Sequence, residues 1–181
     1  MKRVARGFTL IELMAVIAII GILATIVTIS LISSRVRGRD AQRVATLQIL
    51  RAAIDQYAVD KGHYPITNQW TSFDPSNIYY GNSVTNPVAT NIVAALQPYL
   101  NQPSYIDPLG PAGSGNDNGY LYYSNGTDYL LMSWRKPENM NNFNPDVVVL
   151  WRCGSIINDK CSNAGSESVG FWTPGAKTGN W

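Results

Sequence analysis

A single apolar segment near the N-terminus constrains this chain more than any other feature of its sequence. From Phe8 to Ile32, 25 consecutive positions contain one ionisable side chain, Glu12. A helix of that length spans roughly 38 Å at 1.5 Å per residue, against a bilayer core of about 30 Å. The sequence therefore predicts one membrane-spanning helix over residues 8–32. It excludes a polytopic membrane protein, because no second long apolar run follows.

The acidic residue inside this segment needs an explanation. A carboxylate at the centre of a membrane span costs about 2.5–3.5 kcal/mol on insertion scales. Such a group normally has a partner, and we identify none within the segment. The partner is then expected from another chain, or from a charge created by processing. Cleavage after Gly7 would create an α-amino group on Phe8, four residues from Glu12. A plain signal anchor remains the alternative, although it leaves Glu12 unexplained.

The N-terminal sequence resembles that of type IV pilins and type II secretion pseudopilins. The resemblance covers Lys2 to about Ile29 and depends on three features: basic residues before the segment, the run GFTLIE at 7–12, and the length of the apolar helix. It implies that a prepilin peptidase cuts between Gly7 and Phe8 and that Phe8 is then N-methylated. The family usually has proline where Ile29 stands, so this chain departs from the pattern there.

The resemblance also implies a role and a set of partners. Thr9 and Glu12 would serve assembly, in which Glu12 would pair with the Phe8 amine of a neighbouring subunit. The expected partners are a homo-oligomeric filament with other pilins or pseudopilins, the prepilin peptidase and N-methyltransferase, an inner-membrane assembly platform, and the lipid bilayer before assembly. The chain would cross the bacterial inner membrane once, with a cytoplasmic N-terminus and an outer globular domain, before it joins an extracytoplasmic filament. Whether that filament is a pilus or a secretion pseudopilus stays open.

The helix is expected to continue beyond the span to Lys61. An apolar stripe at three- and four-residue steps predicts one buried face: Val44, Leu47, Leu50, Ile54, Tyr57 and Ala58. Gly62 and Pro65 then end the helix. The cluster of arginines at 35–43 has two interpretations, a solvated collar at lipid headgroups or pairing with acidic residues of an adjacent subunit. The predicted divisions are a leader at 1–7, an assembly helix at 8–32, an amphipathic continuation at 33–61 and an exported globular domain at 62–181.

The globular part carries clear strand signals. The segments 120–124 and 127–134 alternate in polarity around Asn125-Gly126, which predicts a hairpin with a tight two-residue turn. Residues 147–151 predict a third strand, and 91–96 a short helix. The loop from Thr67 to about Pro87 is expected to be irregular. The predicted fold class is α+β, a pilin-like long helix packed on a small antiparallel sheet.

The two cysteines and three aspartates are candidate sites. Seven residues separate Cys153 from Cys161, so a disulfide is geometrically reasonable and a two-cysteine metal site is the competitor. Pseudopilins similar to this chain hold calcium in a loop near the sheet, which makes the carboxylates Asp107, Asp117 and Asp128 candidates. Their spacing does not match an EF-hand, and a flexible Gly/Asn turn at 113–119 is the alternative.

Composition limits the remaining function classes. The chain contains one histidine, His63, and has a net charge of +2, so we predict neither an enzyme nor a nucleic-acid-binding protein. Asn125-Gly126-Thr127 matches a glycosylation sequon, but the hairpin turn accounts for it. The alternative to a filament subunit is a minor pilin that binds sugar, DNA or a surface through exposed aromatic residues: Trp70, Tyr79, Tyr80 or Trp172.

Overall fold

A computed structural model describes most of the 181 residues: 8–74, 92–102, 104–110, 119–134, 138–143, 149–151, 155–157, 160–162 and 168–173. The chain divides into two compact units, Met1–Arg37 and Gly38–Trp181. The helical elements are α1 (Leu10–Lys61), α2 (Ile92–Leu96) and two 3₁₀ turns, Gln97–Tyr99 and Met140–Asn142. The strands are β1 (Thr67–Ser72), β2 (Gly119–Ser124), β3 (Tyr129–Trp134), β4 (Val149–Trp151), β5 (Ser155–Ile157), β6 (Lys160–Ser162) and β7 (Ser168–Trp172).

Helix α1 extends over 52 residues and passes through position 29 without a break. Among the described residues it is the one helix long and apolar enough, by length and composition, to cross a membrane. Its end at Lys61 is as predicted, because Gly62 adopts a left-handed φ of 79° and donates its N–H to the carbonyl of Ala58 at 2.8 Å. Helices commonly end with a residue in this left-handed conformation, and glycine is the residue that adopts it most readily.

The sheet of the second unit is antiparallel and has five strands in the order β1-β2-β3-β7-β4. Strands β5 and β6 form a separate two-stranded hairpin. Together with α1, this arrangement confirms the predicted α+β class. The predicted short helix is present as α2, and the predicted third strand is present as β4.

Four strands, β1, β5, β6 and β7, were not predicted from the sequence. Thr67–Ser72, expected to be part of an irregular loop, forms β1 and pairs with β2 across a register irregularity between Thr67 and Thr71. The loop signals that we relied on, Pro75 and Gly81, come after this strand. Ser168–Trp172 forms β7 between β3 and β4. Its length of five residues, with glycine in the middle, gave no periodic signal.

The turn of the central hairpin also differs from the prediction. Ser124 pairs with Tyr129, so the connection has four residues rather than two. The side-chain carbonyl of Asn125 accepts hydrogen bonds from the N–H groups of Thr127 at 2.9 Å and Asp128 at 2.8 Å. An asparagine side chain thus replaces part of the backbone hydrogen bonding that a tight two-residue turn would have used.

The core of the second unit lies between α1 and one face of the sheet. The predicted stripe of α1 supplies Leu47, Leu50 and Ile54, which are fully buried. They pack in one cluster with sheet and α2 residues that include Tyr120, Tyr122, Tyr129, Leu131, Val169, Phe171, Ile92 and Leu96. The opposite face of the sheet carries a smaller buried cluster: Trp70, Leu121, Leu130, Met132 and Trp134. Burial of these two apolar faces accounts for the cohesion of the sheet.

We predict that Gly170→Ala destabilises the protein by about 3 kcal/mol, because overpacking at a strand pairing forces the backbone to move. A Cβ at position 170 would lie 2.0 Å from the carbonyl oxygen of Leu131 and 2.7 Å from the Cα of Met132. The matched control is Gly38→Ala, a helical position with nothing within 4 Å, where alanine should stabilise by up to about 1 kcal/mol. Urea unfolding of the full chain in detergent measures both; equal effects of the same sign would contradict the strand geometry.

Candidate processing and assembly site

The start of α1 forms a reciprocal cap between Thr9 and Glu12. The carboxylate oxygen Oε2 of Glu12 accepts from the N–H of Thr9 at 2.8 Å and from its hydroxyl at 2.7 Å. In return, the N–H of Glu12 donates to the Thr9 hydroxyl at 3.3 Å. This is the capping box of a Ser/Thr-x-x-Glu sequence. The expectation that the segment offers Glu12 no partner was wrong, although the pattern that reveals the cap is visible in the sequence.

The predicted cleavage point lies at the edge of the described residues. Phe8 is the first of them and is 82% exposed, whereas Gly7 and the rest of the predicted leader lie outside them. Thr9, the cap residue, therefore follows directly after the residue that cleavage would expose. Cleavage after Gly7 and the pairing of the Phe8 amine with Glu12 stay predictions.

The apolar part of α1 presents its side chains outward. Fifteen large apolar residues between Phe8 and Ile32 are exposed, including Ile11, Ile19 and Ile26 at 57–75% exposure. The hydroxyls of Thr25 and Thr28 donate to helix carbonyls one turn back, at 2.7 and 2.8 Å. These two polar groups are therefore satisfied within the helix, as an apolar environment requires.

A buried ion network joins α1 to two loops of the second unit. Arg43 is fully buried and binds Asp107 through two hydrogen bonds, from Nε at 2.8 Å and from Nη2 at 2.9 Å. Its remaining terminal nitrogen, Nη1, donates to Asp40 at 2.6 Å and to Glu138 at 3.2 Å. Arg39 binds Glu138 from the other side, with Nε at 2.6 Å. One guanidinium thus contacts three carboxylates.

Asp40 extends this network into the backbone of the segment 138–142. Its carboxylate accepts from the N–H groups of Glu138 and Asn139, both at 3.1 Å, and from the side-chain amide of Asn142 at 2.8 Å. Each oxygen of this buried carboxylate therefore has at least two donors. A fully satisfied network of this kind fixes a loop to a helix in one geometry.

The charges of the network shift its ionisation equilibria. Burial lowers the pKa of the Arg43 guanidinium, but the hydrogen bonds and charges of Asp107, Asp40 and Glu138 outweigh burial and raise that pKa above its usual range. The hydrogen bond from Arg39 holds the pKa of Glu138 below its ordinary value of 4.5. Both shifts favour the charged forms at neutral pH.

This geometry corrects the expected arginine collar. Arg39 and Arg43 are paired with carboxylates of their own chain, so they do not form a fully solvated ring. Arg35 and Arg37 are exposed and keep the interpretation as residues that face lipid headgroups. The sequence could not distinguish the two pairs, because all four arginines alternate along one polar stretch of helix.

Two of the three candidate calcium ligands, Asp107 and Asp128, are not brought together. Asp107 is buried against Arg43 and also accepts from the N–H of Leu109 at 2.9 Å. Asp128 lies in the hairpin turn, where the neighbouring Gly126 carbonyl accepts from the N–H of Tyr64, just past the other end of α1. Arg43 and Lys61, the last residue of α1, are roughly 27 Å apart along the helix axis. Asp117 lies outside the described residues, within which no group of three His, Cys, Asp or Glu side chains could hold a metal ion.

Some of the remaining predicted site residues are described by the structure, and others are not. Cys161 belongs to β6, opposite Ile156, whereas Cys153 lies outside the described residues, so the disulfide stays a prediction. Trp70 is 4% exposed, which removes it from the aromatic residues available to a ligand. Tyr79 and Tyr80 are not described, and Trp172 belongs to β7. His63 lines an open cavity of about 490 Å³ with the turn residues 125–127.

We predict that acid weakens the second unit through Glu138. Because the folded-state pKa of Glu138 is lowered, its contribution to stability is present above about pH 4.5 and is lost as the pH falls through the folded value. The melting temperature of the full chain in detergent should therefore fall between pH 5 and pH 3. Glu138→Gln should melt at a lower temperature than wild type at pH 7, and its melting temperature should fall less in acid.

The control is Asp60→Asn, which changes an exposed carboxylate that accepts a hydrogen bond from Tyr99. Identical pH profiles for Glu138→Gln and wild type would contradict the prediction.

Comparison with known proteins agrees with the geometry of the N-terminus. Residues 2–28 match the family model of the prokaryotic N-terminal methylation motif. The chain is 44% identical over 64 residues to type II secretion system core protein G of Escherichia coli (strain K12), and 38% identical over 69 residues to the protein of the same name from Dickeya chrysanthemi. These matches cover 35% and 38% of this chain and less than half of each relative, 44% and 45%. No solved structure matches the chain. The chain thus carries a prepilin-type methylation motif and is homologous, over about a third of its length, to the type II secretion pseudopilin known as core protein G.

Proposed function

We propose that this chain is the precursor of a structural filament subunit, cut after Gly7, N-methylated on Phe8 and assembled through the apolar part of α1. The observation that carries this proposal is the uncovered apolar surface of α1 with one carboxylate, Glu12, at its beginning. The methylation motif over residues 2–28 and the homology to core protein G support it. Of the two filament types left open by the sequence, this homology favours the secretion pseudopilus.

Membrane insertion and assembly would use the same apolar surface. Before assembly, lipid covers the side chains of the span; afterwards, helices of neighbouring subunits cover them. Both surroundings are apolar, so the hydrophobic effect alone does not favour one over the other. A specific polar contact is therefore needed to select the filament, and Glu12 is the carboxylate placed to make it.

The proposed orientation follows from processing. A leader cut by a prepilin peptidase must be on the cytoplasmic side of the inner membrane, which places the unit Gly38–Trp181 outside. In the filament, other pseudopilins and the assembly platform of the inner membrane would be its partners. We propose a structural rather than an enzymatic role; in the part of the chain that the structure describes, the charged groups around Arg43 are engaged with one another.

The alternative of a minor pilin that binds ligand through aromatic residues loses part of its basis. Trp70 is buried against Leu121 and Met132 on the outer face of the sheet, and its ring contacts that of Tyr123 at a centroid distance of 5.6 Å. A tryptophan in that position stabilises the sheet and is not available to stack on a sugar or base. We therefore keep the filament subunit as the function.

The N-terminal residue of the mature chain tests this proposal first. We expect mass spectrometry of the full chain, co-expressed with a prepilin peptidase, to find N-methyl-Phe8 at the N-terminus. Without the peptidase the chain should keep Met1. Gly7→Val should block the cut, because it places a branched side chain directly before the bond that is cut. An uncut chain, or a cut beyond Ile32, in the presence of the peptidase would contradict the proposal.

A second prediction concerns the carboxylate itself. We expect Glu12→Ala to insert into the membrane as well as wild type, because it removes a charge that is costly there. Filament yield, measured by shearing and immunoblotting, should fall at least about tenfold, as expected when a charged contact worth 1.4 kcal/mol or more is lost. Thr28→Val is the matched control, since it removes a polar group of the same helix that bonds only to its own backbone. Wild-type yield in Glu12→Ala would contradict the assembly mechanism.

A further inference from the structure

The turn between β2 and β3 contains a dipeptide that is chemically unstable in flexible chains. Asparagine followed by glycine loses ammonia spontaneously, because glycine has no side chain to hinder the approach of its backbone nitrogen to the asparagine amide. The sequence contains this dipeptide twice, at Asn118-Gly119 and at Asn125-Gly126. Asn125 is exposed at the surface of the turn, so water reaches its side chain. The second dipeptide is therefore a candidate modification site that the filament function does not use.

The reaction has two steps, and the first depends on the backbone nitrogen of Gly126. That nitrogen loses its proton and forms a bond to Cγ of Asn125, while the side-chain amide takes up a proton and leaves as ammonia. Water then opens the resulting five-membered imide at one of its two carbonyl groups, which gives aspartate or isoaspartate. The first step requires that base can reach the Gly126 N–H and that the Asn125 side chain is free to turn toward it.

The structure meets neither requirement. The N–H of Gly126 is buried and donates to the hydroxyl of Ser124 at 3.0 Å. That hydroxyl is itself held in place, because it donates to the carbonyl of Asp128 at 2.7 Å. The side-chain carbonyl of Asn125 accepts from the N–H groups of Thr127 and Asp128. The attacking nitrogen and the group that it would attack are therefore engaged in different hydrogen bonds.

We propose that Asn125 is a deamidation site that the folded turn keeps closed, and that Ser124 is the residue that closes it. Deamidation then requires local opening of the turn, so its rate is the rate in the open chain multiplied by the open fraction. Opening breaks the bond to Ser124 and both bonds to Oδ1 of Asn125, which makes the open fraction small. The inference does not depend on the proposed filament function, because it concerns the chemistry of one subunit.

Closure of this site preserves the contact between the turn and the chain that follows α1. The carbonyl of Gly126 accepts from the N–H of Tyr64 at 2.9 Å, just beyond the end of α1. Ser124 pairs with Tyr129, which fixes a connection of four residues. Isoaspartate routes the main chain through the former side-chain carbon and adds one backbone atom to that connection. The turn could not then keep both the strand pairing and the bond to Tyr64.

The first test compares the folded chain with the unfolded chain. The full chain is incubated at mildly alkaline pH in detergent, with and without concentrated urea, and peptide mapping by mass spectrometry follows the conversion of Asn125. We expect Asn125 to react at least about tenfold more slowly in the folded chain, because one hydrogen bond alone corresponds to a factor of this order. Asn118, which precedes the other glycine, is the internal standard for the rate in urea. Equal rates at Asn125 in the two solvents would overturn the proposal.

The second test removes the hydroxyl that closes the site. Ser124→Ala takes away the acceptor of the Gly126 N–H, so Asn125 should react several-fold faster than in the folded wild-type chain. The matched control is Thr127→Val, which removes an exposed hydroxyl from the same turn and keeps the backbone N–H that binds Asn125. Its rate should equal that of wild type. Equal rates in the two variants would overturn the role assigned to Ser124.

Amide hydrogen exchange keeps the test decisive if Ser124→Ala does not fold. In the folded wild-type chain the Gly126 N–H should exchange at least about tenfold more slowly than in the unfolded chain, because exchange requires the same local opening. Exchange of this N–H at the unfolded rate would overturn the closure of the site.

Discussion

The pairing of Arg43 with Asp107 is the contact on which the order of the second unit depends. It is buried, has two hydrogen bonds and brings the turn at 107–110 against α1. Through Nη1, the same guanidinium reaches Asp40, whose carboxylate fixes the backbone of 138 and 139. Removing the Arg43 guanidinium would leave Asp107 and Asp40 buried without their positive partner, which is far more costly than the net gain from forming the set. The network therefore specifies one arrangement of loops more than it adds stability.

Helix α1 connects two kinds of surroundings along one continuous hydrogen-bonded backbone. Up to Ile32 its large apolar side chains are exposed, which is suitable for lipid or for other helices. From Asp40 to Ile54 its buried residues recur at helical spacing and meet the sheet. The two surfaces occupy different parts of the helix. We therefore expect substitutions before Ile32 to affect insertion and assembly, and substitutions after Asp40 to affect the folding of the subunit. We therefore expect a change at Glu12 to leave the fold of the second unit intact.

The sequence predicted those parts of the fold that depend on local pattern. Spacing placed Leu47, Leu50 and Ile54 on the buried face of the helix, and alternation placed the β2–β3 hairpin. It did not predict the three-residue strands β5 and β6. Nor did it predict β1 or β7, which are short and gain their regularity from pairing with neighbours far along the chain. Nor did it predict burial of Arg43, because a charged residue on a polar helix face is normally solvated and its partner Asp107 is 64 residues away. The capping box of Thr9 and Glu12 was local and could have been found.

That capping box changes how the acidic residue at the start of the span must be understood. A carboxylate that accepts two hydrogen bonds from Thr9 does not enter the bilayer unpartnered, so the cost of inserting the single chain is lower than the charge alone suggests. A neighbouring amine would add a charge-assisted bond, which is roughly twice as strong as one between neutral groups. Carboxylates accept several donors at once, so the Thr9 contacts need not be lost when the amine arrives. The Thr9 contacts thus lower the free-energy cost of placing the single chain in the membrane. Glu12 keeps its preference for a positively charged partner.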